Sequence, residues 1–355
     1  MAFLSRIALY QFRNYTQSEF QFDRRVVCIT GQNGAGKTSL LDAIHYLCFT
    51  KSYLHHNDLL SVQHEKQGMR ISGDIDEAKL ACILRENGKK EFILNGEAYT
   101  QFSKHIGLYP CVFISPDDTV LITEGAEHRR KFMDVLLSQL DPNYMQALIR
   151  YNKILQQRNA FLKRQDETAM QDLSLLSIYD TQLDEQSRII YPKRKALALS
   201  LEQLVTNIYH ALSGGREQIG LRYESRLEQD SLLELLTHNR SKDLASQRTN
   251  YGIHKDELSF TLNGMPFKQT ASQGQRKSLL FGLKLAQFEW IRQGNGKHAF
   301  LLLDDIFEKL DQARSEALIE YIGQCGAQVF ITDTHADRVR QAFEGKAKEV
   351  QYIEL

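Results

Sequence analysis

The run Gly31-Gln32-Asn33-Gly34-Ala35-Gly36-Lys37-Thr38 is a complete G-x-x-x-x-G-K-[ST] phosphate loop, and its setting restricts the fold more than any other feature. Before it, Val26-Val27-Cys28-Ile29-Thr30 is β-branched and apolar, the composition of a strand buried on both faces. After it, Ser39-Leu40-Leu41-Asp42-Ala43-Ile44-His45-Tyr46-Leu47 carries apolar residues at helical spacing. Strand, glycine turn and helix start together aim backbone N–H groups and the positive end of a helix at a polyphosphate. Gly31, Asn33, Gly34, Gly36, Lys37, Thr38 and Ser39 are therefore the candidate phosphate-binding residues. Lys37 is expected to reach the outer phosphates, and the Thr38 hydroxyl to complete a Mg²⁺ shell.

Far downstream, Phe300-Leu301-Leu302-Leu303 ends abruptly in Asp304-Asp305. In an open α/β sheet, ligands bind at the C-terminal ends of such strands. Asp304 is the candidate to hold Mg²⁺ and Asp305 to polarise an attacking water; an acidic turn after a core strand is the plainer alternative. Between these motifs, Ser272-Gln273-Gly274-Gln275 precedes Leu279, Leu280, Leu283 and Leu285 at helical steps. Ser272 stands at the N-cap and Gln275 at the N3 position of a capping box, which explains the residue types by itself. The same start also makes an anion site.

A phosphate loop, an S-x-G-Q helix start and an apolar strand ending in acids, in that order, resemble the ABC-type ATPases. That resemblance implies a head-to-head dimer with shared ATP, in which Ser272, Gly274 and Gln275 of one copy close on the γ-phosphate held by the other. It also implies that Glu308-Lys309-Leu310-Asp311 crosses the dimer interface and that His335, after the strand Gln328–Thr332, senses the γ-phosphate. Arg13 and Asn14 lie where SMC-like heads contact nucleotide, although an Asn-capped hairpin turn accounts for them equally.

Organisation along the chain fits a divided head. Strand patterns at Ile7–Tyr10, Phe20–Phe22 and Val26–Thr30 precede the loop. From Met69 to Ile114, short alternating runs with turns at Glu86-Asn87-Gly88 and Asn95-Gly96 predict an antiparallel side sheet, and Val112-Phe113-Ile114 within it reads as a core strand closed by Ser115-Pro116-Asp117-Asp118. Amphipathic stretches then predict helices over Leu136–Leu162 and Ile178–Leu212, with a turn at Asp166-Glu167-Thr168. Strand patterns return at Phe260–Leu262. The expected architecture is α/β: an ABC/SMC-type P-loop ATPase head with a parallel core sheet and an antiparallel side sheet. The head occupies residues 1–116 and 249–355, and a helical lobe is inserted at 117–248.

Lys and Arg (44) equal Asp and Glu (44), so any nucleic-acid site must be a local patch. No apolar run reaches membrane-spanning length and no leader pattern opens the chain, which predicts a cytoplasmic protein without membrane contact. The scattered cysteines Cys28, Cys48, Cys82, Cys111 and Cys325 read as buried thiols of a reducing compartment, and His55-His56 lack partners at zinc-ligand spacing.

Several segments resemble the RecF family of bacterial recombination mediators. They are Phe12-Arg13-Asn14-Tyr15, the phosphate loop with Leu40–Ile44, Phe113-Ile114-Ser115-Pro116-Asp117-Asp118, and Arg129-Arg130-Lys131-Phe132-Met133-Asp134. Gly252-Ile253-His254-Lys255-Asp256-Glu257 is similar to the family's G-P-H-R-D-D, with Ile, Lys and Glu substituted. The resemblance implies an ATP-driven clamp at single-strand/double-strand junctions, acting with RecR and through it RecO to place RecA on gapped DNA. It further implies slow hydrolysis, consistent with Asp305 where a longer glutamate would hold water more surely. Arg129, Arg130, Lys131, Lys193, Arg194 and Lys195 are the candidate DNA contacts, unless Arg129 and Arg130 pair with Asp117 and Asp118. Competing readings are another SMC-like head and a transporter motor. The size of the insertion and the lack of L-S-G-G-Q weigh against the latter.

Overall fold

The computed structural model describes residues 2–164, 174–215, 217–295, 299–307, 312–344 and 350–355. The chain divides into two compact units: residues 1–119, 208–216 and 273–355 in the first, and 120–207 with 217–272 in the second.

The first unit is built on a five-stranded parallel sheet in the order Val350–Glu354, Val26–Thr30, Val329–Asp333, Phe300–Leu303, Cys111–Ile114. The four strands from Val26–Thr30 to Cys111–Ile114 are buried along their whole length, as continuous apolar runs require. Thr30 stands in register with Asp333, and Leu303 with Ile331 and Ile114. The phosphate loop and the acidic pair therefore leave the sheet at the same edge.

The side sheet is antiparallel and six-stranded, in the order Tyr15–Gln21, Leu4–Phe12, Met69–Ile75, Ala78–Leu84, Lys90–Leu94, Glu97–Ala98. Its last hairpin turns at Asn95 (φ 51°) and Gly96 (φ 89°), the conformation that the Asn-Gly pair favours. The helix Lys37–Phe49 packs against strands of both sheets, which is why it is buried nearly all round and not along a single stripe. The Gln328 carboxamide joins the sheets by accepting from the Leu4 N–H (2.7 Å) and donating to the Leu4 carbonyl (3.0 Å). All five cysteines are buried and none forms a disulfide. Among the described residues, no helix is long and apolar enough to cross a membrane.

The second unit contains the helices Ala126–Leu140 and Pro142–Arg164, most of Ser174–Ser213, and the short helices Leu232–His238 and Arg240–Ser246. The single helix expected over Leu136–Leu162 is instead broken at Asp141. Its carboxylate accepts the Tyr144 N–H (3.0 Å), and Pro142 opens the next helix, where its missing N–H costs nothing. The turn expected at 166–168 lies outside the described residues. The unit is also not all helical. Ile219–Glu224 pairs with Glu257–Leu262, which pairs with Met265–Pro266, in a three-stranded antiparallel sheet. Residues 249–272, expected to rejoin the ATPase head, are held in the second unit by that ladder.

Arg158, fully buried, ties this unit together. Its guanidinium donates to Asp180 (2.7 Å), Asp243 (2.7 Å) and the Thr249 hydroxyl (2.8 Å).

Candidate nucleotide site

The phosphate loop turns out of the strand Val26–Thr30 and enters the helix at Lys37. Gly36 occupies the N-cap with φ 109°, and no side chain caps the first turn. A Cβ on Gly36 would lie 2.6 Å from Asn14 Nδ2 and 2.7 Å from the Tyr15 hydroxyl, so only glycine fits there. The Lys37 ammonium donates to the carbonyls of Gly31 (2.8 Å) and Gln32 (3.1 Å), folded over the loop it serves.

The acidic pair is held from the neighbouring strand. Asp304 accepts the Thr38 hydroxyl at 2.9 and 3.0 Å and the Thr332 hydroxyl at 2.7 Å. Burial raises its pKa, while the hydroxyls of Thr332 and Thr38 pull the other way; Asp305 pushes it up and Lys37 lowers it. Asp305 adopts φ 45° and donates its N–H to Thr332 Oγ1 (3.0 Å). One hydroxyl thus fixes both acids. Sequence reasoning passed over Thr332, because nothing local marks it.

The Arg13–Asn14 pair forms the hairpin turn and also reaches the phosphate loop. Arg13 sits at φ 51° in the hairpin and donates to Asp42 (2.7 Å) and the Ser52 hydroxyl (3.2 Å). Asp42 is fully buried and also accepts from Ser52 (2.8 Å) and the Tyr53 N–H (2.6 Å). Burial raises its pKa and the Arg13 charge opposes that shift. Asn14 reaches the Gly34 carbonyl at 3.4 Å, and the Tyr15 hydroxyl donates to the Gly36 carbonyl at 3.1 Å. Arg13 and Asn14 line a cleft of about 930 Å³ together with Asn33, Gly34, Gly36, Lys37, Thr38, Ser39 and Asp305. His55, Leu60, Val62, Gln63, His64 and Lys66 also line it. These were missed, His55 having been weighed only as a metal ligand. Among the described residues, no group of His, Cys, Asp and Glu forms a metal-holding cluster. The hard oxygens of Thr38 and Asp304 nevertheless fit a Mg²⁺ carried in by nucleotide, which keeps most of its ligands as water and phosphate.

Residues 3–352 match the RecF/RecN/SMC N terminal domain family. The chain is 42% identical to the DNA replication and repair protein RecF of Flavobacterium johnsoniae, covering 94% of this chain and 95% of that one. The chain belongs to the RecF family. It is likewise 40% identical to RecF of Parabacteroides distasonis over 94% of this chain and 91% of the relative. A solved structure described as the recombination mediator protein RecF-ATP in the RecFOR pathway superposes with TM-score 0.88 at 28% identity, covering 94% of this chain and 92% of that one. The Smc head domain of Pyrococcus furiosus shares the fold alone, with TM-score 0.57 and 15% identity over 99% of this chain and 93% of that one. Membership makes the chain an ATPase of the RecF/SMC class.

The remaining RecF-like elements fall as follows. The signature helix begins at Gln273, directly after an exposed Ser272. Gly274 and Gln275 are half-buried and do not line the cleft of their own unit. His335 stands at the N-cap of Ala336–Phe343, its side chain 69% exposed. Its N–H donates to Asp333 (2.7 Å), which Arg338 also contacts (2.6 Å), and the ring does not line the cleft. Residues 308–311 lie outside the described residues.

The Ser-Pro-Asp-Asp element proves to be a fastening point. Asp118 accepts the Ser115 N–H (2.8 Å) and pairs with Lys284 of the signature helix (3.1 Å). It also bonds the Tyr53 hydroxyl. Lys284 reaches the Phe113 carbonyl (3.0 Å), and Tyr53 stacks on Phe113 with centroids 4.3 Å apart.

Asp118 is therefore not the partner of Arg129 or Arg130. Arg129 pairs with Glu257 at 2.7 and 3.0 Å, and Arg130 donates to the Asp256 carbonyl (2.7 Å). Arg194, placed by sequence on a DNA-facing cluster, is buried instead. It contacts Asp134 (2.8 Å), the Ile253 carbonyl (2.8 Å) and the Tyr144 hydroxyl (3.0 Å). Lys193 pairs with Asp141, and Lys195 with Glu228 at 3.1 Å. Of the six proposed cations, Lys131 alone is exposed without a carboxylate partner among the described residues.

Proposed function

We propose that this protein is an ATP-dependent DNA clamp of recombinational repair and replication restart. The observation that carries the reading is the Thr38–Asp304 contact at the shared sheet edge, in a chain closely similar to DNA replication and repair proteins. The N–H groups of the loop cradle the ATP phosphates, and Lys37 turns from the Gly31 and Gln32 carbonyls to the β- and γ-oxygens. Thr38 and Asp304 would hold Mg²⁺, which supplies charge neutralisation between those oxygens. Asp305, on its constrained backbone, orients the attacking water. Ser272, Gly274 and Gln275 of a second copy complete the γ-phosphate shell, so ATP binding joins two heads around DNA at a gap. His335 would sense the γ-phosphate from the neighbouring loop. Slow hydrolysis then opens the dimer. In this reading the protein works in the cytoplasm with RecR, and through it RecO, to help load RecA.

Sedimentation with and without ATP and a gapped duplex tests the proposal. ATP-dependent dimerisation, strengthened by gapped DNA, is the expected result. Ser272→Arg should bind ATP yet remain monomeric; normal dimerisation of that variant would sink the shared-site mechanism.

A further inference from the structure

We propose that a cleft of about 630 Å³ in the second unit, walled by Arg222, Arg226, Lys242 and Lys255, binds the phosphodiester backbone of a single nucleic-acid strand. The argument rests on which charges are already spent. Four acids also line this cleft, and three are neutralised from within the unit. Glu257 is clamped by Arg129 (2.7 and 3.0 Å), and Glu228 pairs with Lys195 (3.1 Å). Asp256 faces Arg194 (3.6 Å) and bonds the Tyr223 hydroxyl. Glu224 has no cation at ion-pair distance among the described residues and accepts the Ser259 hydroxyl (2.6 Å). By contrast, all four cations are exposed, and none has a carboxylate at ion-pair distance among the described residues. In a chain of zero net charge, that separation creates a local positive site able to exchange counterions for phosphates.

A ring decides between a nucleic acid and an acidic peptide. Lys242 lies 5.5 Å over the half-buried Tyr251, which also lines the cleft. A cation beside an aromatic face is how single strands are held, the phosphate by charge and the base by stacking. The wall is also set in advance. Gly252 has φ 132°, and a Cβ there would collide with the Tyr151 hydroxyl. His254 bonds that same hydroxyl (2.8 Å) and the Thr249 carbonyl (3.1 Å). Tyr251 and Lys255 are thus presented from a fixed turn. The inference borrows from the clamp reading only the class of partner, and it requires neither ATP nor dimer closure.

The test is fluorescence anisotropy of a short labelled single-stranded oligonucleotide with nucleotide-free protein, across about 50 to 200 mM KCl. Arg226→Gln with Lys255→Gln should weaken binding by about tenfold or more and flatten the salt slope by roughly 1.4, two lost phosphate contacts. Tyr251→Ala should weaken binding at unchanged slope. A control pair on the side sheet, Arg70→Gln with Lys79→Gln, should change neither. The proposal fails if wild type does not bind, if the cleft variant binds like wild type, or if the control loses as much. It also fails if polyglutamate displaces the oligonucleotide at equal charge, which would assign the cleft to an acidic protein. Sedimentation of the same preparations with ATP separates the two readings. Lost dimerisation with intact oligonucleotide binding sinks the clamp alone, and the converse sinks this site alone.

Discussion

Two buried sets of charge, one in each unit, are satisfied in opposite ways. In the second, Arg158 is sealed between Asp180 and Asp243, and its bonds among the described residues are all to other parts of the same unit. In the first, Lys37 and Asp304 are almost as deeply buried, yet they are held by carbonyls and hydroxyls that can be exchanged for phosphate and cation. A charge matched by an opposite charge is committed to the fold. A charge matched by neutral dipoles stays available to a ligand.

Removing one member of the committed set should have the largest effect. Arg158→Ala leaves the buried Asp243 without its cation and Asp180 with Arg240 alone (3.1 Å), and should cost about 3–5 kcal/mol in urea unfolding. A loss below about 1 kcal/mol would erase the contrast.

Next, Asp304→Asn should lower ATP turnover by roughly 100-fold or more while leaving stability unchanged or higher. The sign with pH follows from proton counting. Because burial raises the Asp304 pKa, the folded state holds the extra proton above the unfolded pKa. Its contribution therefore falls as pH rises through the raised value. The stability gain of Asp304→Asn should accordingly grow with pH across that interval, and a gain that shrinks would contradict the assignment.

Thr332→Val should be milder, with about tenfold slower hydrolysis at unchanged ATP affinity, since it loosens both acids without removing either. Equal losses in affinity and turnover would mean that Thr332 acts on binding instead. Ser231→Ala, which removes a complete capping box that shares no member with either charge set, should cost only about 1 kcal/mol and no activity.

The same contrast explains what could be read from sequence. The phosphate loop, the strand ending in Asp304-Asp305 and the alternating side sheet are local patterns, and their strands and turns stand where spacing put them. Partners were not legible. Arg158 meets residues 22 and 85 positions away, and no periodicity links it to them. Arg194 and Lys193 look alike in a basic run, but helical geometry buries the first and leaves the second half-exposed. The strand Ile219–Glu224 escaped notice because six residues alternate too briefly to outweigh the helices around them.

The Thr332 hydroxyl has a mechanical consequence. It has one proton, given to Asp304, and a lone pair that takes the Asp305 N–H. Asp304 and Asp305, proposed above to hold the cation and to direct the water, are therefore coupled like two arms on one axle, mounted on the adjacent strand. Any displacement of Val329–Asp333 that accompanies closure would swing both arms together, so the catalytic stroke could be timed by a single strand.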